Sequence, residues 1–193
     1  MSNLRILIRP AEPRDGSAIA EIYAPIVRDT AISFETEPPG PNAMAQRIES
    51  ITRFHPWLVA ELAERVVGYA YASEHRARAA YRWSTDVTAY VAVDMRGRSI
   101  GRALYERLIR VLRAQGFHGA FAGIALPNDA SVALHEAVGF RSLGIYREVG
   151  FKLGRWRDVG WWQLVLANHD GPPVDPIPFD AFRYATNLDD LLK

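Results

Sequence analysis

The sequence predicts an α/β fold built as one mixed β-sheet flanked by helices, and three observations point there. Strand-like runs follow one another between Trp57 and Val93, a strand–helix–strand unit runs from Thr85 to Leu126, and two more strand-like runs close the pattern between Phe140 and Ala167. Consecutive strands pair antiparallel through hairpins, whereas a helical crossover sets two strands parallel, so the sheet must contain both pairings. A doubly wound, all-parallel sheet is incompatible with the early run of strands.

The elements follow in chain order. Residues 4–9 read as a first strand. Asp15 is placed to cap a helix with Ile19, Ile22, Tyr23 and Ile26 on one face, which Pro25 should kink or end. Ile32 to Pro41 (ISFETEPPGP) is a loop, and Met44, Ile48 and Ile51 recur at helical spacing after it. WLVAELA and VVGYAYASEH form a hairpin turning at Glu64 and Arg65, and RARAAYRWSTD then interrupts the pattern. Thr85 to Val93 is rich in β-branched residues and forms a strand. Ile100, Leu104, Leu108 and Val111 make the apolar stripe of a helix that starts at Ser99 or Ile100 and stops at Gly116. Ala120 to Leu126 is a strand, and Asn128 or Asp129 caps a helix ending at Gly139. Phe140 to Val149 and Val159 to Ala167 are the closing strands. The order is β-α-α-β-β-β-α-β-α-β-β. From Asn168 the composition turns to Pro and Asp, so the expected division is a domain at 1–167 and an extension at 168–193 that lies on the body, or across a partner, without a core of its own.

Composition narrows the chemistry. Among 193 residues there is no cysteine, which excludes disulfides, Cys-ligated zinc, iron–sulfur clusters and any Cys-bound intermediate. The formal net charge is +1, too balanced for whole-protein attraction to nucleic acid or anionic lipid, so an anion site must be local. The apolar patch Ile6 to Ile8, broken by Arg5, Arg9 and Pro10, is too short for a signal segment, and no apolar run spans a membrane. A soluble protein of the cytoplasm is expected. The histidines at 55, 75, 118, 135 and 169 show no metal-ligand spacing, so no metal is expected.

The most informative segment is YVAV running into RGRSIG and a helix. Glycines between a strand and a helix N-terminus let backbone N–H groups approach an anion, and the helix dipole adds favourable potential. Arg96, Arg98 and Arg102 bracket this turn and can pair with phosphate oxygens. The segment is neither a Walker A loop nor a dinucleotide fingerprint.

R-G-R-S-I-G resembles the R/Q-x-x-G-x-G/A signature of the Gcn5-related N-acetyltransferase superfamily. PWLVAE, RARAAYRW, LPNDASVALHEAVGF and VGFKLGRWRDVGWWQL extend the resemblance, in family order from about Ile8 to Ala167, to the phosphinothricin N-acetyltransferase family. Two positions depart from it: Ser99 stands at the middle glycine of the signature, and Asp86 where the family carries a glutamate assigned as general base. The resemblance implies acetyl-coenzyme A as co-substrate. Main-chain atoms of Val91 and Val93 would contact it, Arg96, Gly97, Arg98, Ser99, Ile100 and Gly101 would hold its pyrophosphate, and Asn128 its pantetheine arm. It further implies a homodimer.

Acyl transfer to an amine needs a neutral nitrogen, a route for its proton and a donor for the leaving group. The resemblance assigns these roles to Asp86 and to His135, and assigns Phe34, Arg78 and Tyr81 to the acceptor. Guanidinium forks suit a small acceptor carrying carboxylate or phosphinate oxygens. The expected activity is therefore N-acetylation of a small amino acid or analogue, of phosphinothricin, methionine sulfone or methionine sulfoximine type. With no cysteine to carry an acetyl group, transfer is expected to be direct. Acetylation of a peptide or protein N-terminus, and a non-catalytic acetyl-coenzyme A sensor, are the alternatives.

Overall fold

The computed structural model describes residues 6–193, so Leu4 and Arg5 of the expected first strand lie outside the described residues. Its elements in chain order are β1 (Leu7–Pro10), α1 (Gly16–Asp29), α2 (Pro41–Ile51), β2 (Trp57–Leu62), β3 (Arg65–Glu74), β4 (Ser84–Val91), α3 (Ile100–Gln115), β5 (Gly119–Ala125), α4 (Asp129–Ala137), β6 (Arg141–Lys152), β7 (Arg155–Val165), α5 (Phe179–Ala185) and α6 (Leu188–Leu192). The strands form one seven-stranded sheet in the order β1-β2-β3-β4-β5-β7-β6. All pairings are antiparallel except β4 with β5, where α3 makes the crossover. The mixed α/β architecture is the one the run of strands implied.

The core lies between the sheet and the helices. α1 contributes Ile19, Ile22, Tyr23, Ile26 and Val27, and α3 contributes Ile100, Leu104, Leu108 and Val111, all buried. That burial explains why Pro25 does not end α1, which continues to Asp29. Proline removes one N–H bond, but a helix with a buried apolar face is held by its packing. Asp15 occupies the cap position without capping α1. Its carboxylate instead accepts from the Glu12 N–H at 2.8 Å and from both terminal nitrogens of Arg9 at 2.8 Å.

The β2–β3 turn falls one residue earlier than the sequence pattern placed it. Ala63 and Glu64 both take positive φ, 49° and 63°, the geometry of the two-residue hairpin turn whose twist matches the flanking strands. Strand β4 ends at Val91, and a short 3₁₀ turn at Val93–Met95 carries the chain off the sheet while burying Met95. The final hairpin is longer than expected because β6 runs to Lys152 and turns at Leu153 and Gly154, both at positive φ. Residues 168–193 pass along one side of the body. Phe179 and Phe182 are buried there, the Phe179 N–H donates to the Phe54 carbonyl at 3.0 Å, and Gln115 Nε2 donates to the Ile177 carbonyl at 2.8 Å. No helix among the described residues is long and apolar enough to cross a membrane.

Candidate active site

The site originates in a break of the sheet. β4 pairs with β5 only over Ser84–Asp86 against Gly119–Phe121, yet stays paired with β3 as far as Val91. Beyond Asp86 the two central strands part, and unpaired backbone of both borders a wedge-shaped cleft. Main-chain donors and acceptors facing a cleft must find partners, so the wedge suits an extended polar ligand. Ala89, Val91, Arg96, Asn128, Leu134 and His135 are among the residues of its wall.

The turn from Arg96 into α3 stands at one end of this wedge. Gly97 and Ser99 both adopt left-handed conformations, φ 74° and 59°, which fold the segment sharply into the N-terminus of α3. Ser99 does not cap the helix with its side chain. The first turn of α3 holds no acidic residue, so its free N–H groups and dipole face the turn uncompensated. A Cβ on Gly97 would meet no atom within 4 Å, whereas one on Gly101 would lie 3.1 Å from Leu134. Gly101 therefore lets α3 approach α4, a packing role distinct from phosphate approach. Ile100 is a core anchor and has only its main chain to offer an anion. Arg96 borders the wedge, Arg98 is exposed, and Arg102 is engaged by Glu106 one turn along α3 at 2.8 Å. Val93 lies outside the wall, 63% exposed, because the strand has already ended. Asn128 does cap α4, its Oδ1 accepting from the Ser131 N–H at 3.2 Å, while also facing the wedge.

The wedge continues into a second cavity through shared walls at Val87, Thr88, Tyr90, Gly123 and Ala125. Asp86, Phe34, Ser73, Tyr146, Val149 and Trp161 line this second space. Asp86 thus lines the second cavity, one residue before Val87 in the wall that the two share. Burial holds its carboxyl above the usual aspartate range, opposed by a hydrogen bond from His75 and by the nearby Arg76. Of the two adjacent tryptophans, Trp161 faces the cavity and Trp162 is buried on the other face, as alternation along a strand requires.

His135 is placed differently from a free base. It is buried, Nδ1 lies 2.7 Å from the Ser131 carbonyl and Nε2 2.8 Å from the Tyr105 hydroxyl. A carbonyl can only accept, so Nδ1 carries the proton and Nε2 accepts from Tyr105. Burial pushes the imidazole pKa down, and burial raises that of the Tyr105 phenol, which stays protonated. Both nitrogens are thus occupied, and Tyr105 shares the wedge wall with His135.

Phe34 is held from two sides. Its ring lies against the backbone of Gly150, where a Cβ would fall 2.1 Å from Cε2. The flanking carbonyls of Ser33 and Glu35, with that of Val27, accept from Lys152 Nζ at 2.6, 2.7 and 2.7 Å. Burial lowers the pKa of this lysine and the Glu35 carboxylate works against that; the three carbonyls take the place of water around the ammonium. Glu35 is held by both terminal nitrogens of Arg47, at 2.7 and 2.9 Å, which keeps its carboxyl below the usual range.

Arg78 and Tyr81 stand outside the cavity wall. The 3₁₀ turn at Ala79–Tyr81 leads this segment away from the sheet, leaving Arg78 exposed and Tyr81 43% exposed with its ring edge-on to His75. The cation the fold brings near the cavity is Arg76, whose guanidinium carbon lies 5.6 Å from the Trp161 ring centroid. Sequence patterning missed His75, Gly150 and Lys152 as site residues. Only the strand registers bring them in, and the one local signal was the proximity of His75 to the arginine-rich segment. Among the described residues no three His, Cys, Asp or Glu side chains gather as a metal site.

An acetyltransferase (GNAT) domain model matches residues 8–161, which include the parted central strands and the turn into α3. The chain belongs to the GNAT acetyltransferase family. It is 41% identical over 171 residues to a phosphinothricin N-acetyltransferase of Streptomyces viridochromogenes, covering 88% of this chain and 93% of that one. It is 35% identical over 170 residues to an L-methionine sulfoximine/L-methionine sulfone acetyltransferase of Salmonella typhimurium, covering 86% and 97%. Among solved structures, a GNAT superfamily phosphinothricin acetyltransferase of Sinorhizobium meliloti in complex with AcCoA superposes with a TM-score of 0.85 at 35% identity, covering 89% of this chain and 95% of that one. The chain is thus a GNAT acetyltransferase.

Proposed function

We propose that this acetyltransferase moves an acetyl group from acetyl-coenzyme A to the amino group of a small amino acid or analogue, of phosphinothricin, methionine sulfone or methionine sulfoximine type. The observation that carries this reading is a juxtaposition: a carboxylate with a raised pKa lines a compact aromatic cavity, one residue from the wall that this cavity shares with the wedge. The names of the relatives support the same acceptor class. The donor set fits the co-substrate, because an uncompensated helix N-terminus and Arg96 suit a pyrophosphate and the unpaired strand edges suit an amide-bearing arm. Acetyl-coenzyme A supplies an activated acyl carbon as its thioester. Val91 and the turn from Arg96 to Gly101 hold it, with Asn128 beside the arm.

Asp86 takes the proton of the acceptor ammonium, directly or through one water, and the freed nitrogen attacks within a ternary complex. As the carbon–sulfur bond breaks, the nitrogen loses its second proton and the sulfur gains one; the Tyr105–His135 pair on the wedge wall relays it, Tyr105 giving its phenolic proton to sulfur as it regains one from the nitrogen, so that it ends protonated. Phe34 forms the apolar wall of the acceptor cavity. The same reading places the catalytic domain at residues 1–167, with 168–193 as an extension, in a cytoplasmic enzyme.

It also makes the enzyme a homodimer, with β6 as the contact. β6 is an edge strand, and Leu143, Ile145, Val149 and Phe151 are 43% to 60% exposed along it. Long apolar edges are normally covered, and a second copy covers this one with its own equivalent. Sedimentation should then report twice the 21.6 kDa chain mass, and a monomer would refute it.

Thiol release from acetyl-coenzyme A, measured with a panel of amino acids and analogues, tests the activity. Turnover with the named analogues, and loss of about 10²-fold or more in kcat for Asp86→Asn, is expected. Preference for peptides over free amino acids would indicate an N-terminal acetyltransferase, and binding without turnover on any amine a sensor; either would overturn the reading.

A further inference from the structure

Asp86 does not stand alone. Antiparallel pairing of β3 with β4 sets Ser73 opposite Asp86, and two residues beyond Ser73 the chain delivers His75, whose Nδ1 lies 2.6 Å from Asp86 Oδ1. The imidazole side chain is 12% exposed and the carboxylate 29%. Three rings fix the imidazole. It stacks on Phe121 of β5 at 4.4 Å and 19°, and meets Trp161 of β7 and Tyr81 edge-on at 6.3 Å and 5.9 Å. A carboxylate can only accept, so the shared proton sits on Nδ1 while Asp86 is ionised. The second oxygen, Oδ2, has no hydrogen bond from another side chain among the described residues.

We propose that His75 is a positioning residue for Asp86: its Nδ1–H fixes Oδ1, keeps the carboxylate ionised, and leaves Oδ2 to receive the proton of the acceptor amine. The inference rests on the reading of Asp86 as base given above. In the proton step an ammonium N–H bond breaks, the electron pair stays on nitrogen and an Oδ2–H bond forms; the proton then returns to solvent. A ring caged by Phe121, Trp161 and Tyr81 cannot swing away when the acceptor enters, so the base is oriented before binding. The other charged or titratable groups at this point are Arg76, which donates to the His75 carbonyl at 2.7 Å and favours the ionised carboxylate, and Tyr81.

Three variants test the proposal: His75→Phe keeps the ring stack and removes the donor, His75→Asn restores a donor where Nδ1 stood, and Asp86→Asn removes the base. Each is assayed for kcat, both KM values and the pH profile of kcat/KM, with a melting curve to confirm folding. A hydrogen bond to a carboxylate lowers its pKa, so losing it should move the acid limb of the His75→Phe profile upward by about one to two pH units. At neutral pH its kcat should fall about tenfold, the KM for acetyl-coenzyme A should hold, and His75→Asn should recover most of both losses. A His75→Phe enzyme with an unmoved acid limb and near wild-type kcat, beside an Asp86→Asn enzyme that has lost activity, would overturn the role of His75 alone. An Asp86→Asn enzyme that keeps its activity and acid limb would overturn the reading of Asp86 as base, and the proposal with it.

Discussion

Alanine at position 150 is expected to disable the acceptor cavity and spare the donor wedge. The added Cβ would fall 2.1 Å from Phe34 Cε2 and 2.7 Å from Cδ2 and Cζ. The ring must retreat by about 1.3 Å before it reaches the 3.4 Å at which ordinary contact begins. Its loop cannot simply follow, because Lys152 holds the carbonyls on both sides of Phe34, so the ring has to turn toward the cavity it lines. Overpacking of this kind costs about 1–3 kcal/mol, and a shift of about 1 Å in a positioning group costs on the order of 10²-fold in rate. We therefore expect Gly150→Ala to lower kcat/KM for the acceptor by about 10–100-fold, with the KM for acetyl-coenzyme A within about twofold of wild type. Steady-state thiol release with each substrate varied in turn measures both. The double variant Phe34→Ala/Gly150→Ala removes the clash and should melt no lower than Phe34→Ala alone. Wild-type acceptor kinetics and melting temperature in Gly150→Ala would refute the argument.

Three further outcomes follow from the same geometry. Lys152→Met leaves three carbonyls without their donor; at about 1–3 kcal/mol per unsatisfied group, partly recovered by water, the loss should be about 2–4 kcal/mol, read as a drop in denaturant midpoint at unchanged m-value. His55 stacks on Phe117, and burial lowers its pKa to about 4, below the ordinary 6.5. The unfolded chain then binds the extra proton first, so the contribution is complete above about pH 6.5 and is lost as pH falls toward 4; discounted for partial exposure it amounts to about 1–2 kcal/mol, and His55→Phe should flatten this slope in pH-dependent unfolding. Phe179→Ala opens a cavity where a fully buried ring joins the extension to the body, and should cost about 3–5 kcal/mol in chemical unfolding; a cost under about 1 kcal/mol would show that the extension is not docked in solution.

Local pattern carried the element order, because apolar spacing of 3.6 or 2 residues reports which face is buried whatever lies opposite. The stripe Ile100, Leu104, Leu108, Val111 is buried in α3, and Gly116 ends that helix at φ 94°. Where local rules failed, packing had outweighed them: α1 runs through Pro25 because its apolar face is buried, and Asp15 forgoes its helix cap for Arg9. The turn into α3 was legible for the same local reason, since glycine and a helix start are neighbours in sequence. Roles that depend on the direction of a side chain were not. Arg78 and Tyr81 are carried off the sheet by a 3₁₀ turn, and His135 is closed in by Ser131 and Tyr105.

By itself the sequence determined an α/β chain of one mixed sheet, the absence of any cysteine to carry an acetyl group, and the strand–turn–helix segment at Arg96 to Gly101. Only the tertiary structure decided where β4 leaves β5, that Asp86 stands at the mouth of that gap, and that His75, Phe34 and Trp161 gather around it. The reason is physical: spacing along a chain fixes which residues share a face of one element, whereas register between strands and the point at which a sheet splits are set by the packing of every element at once.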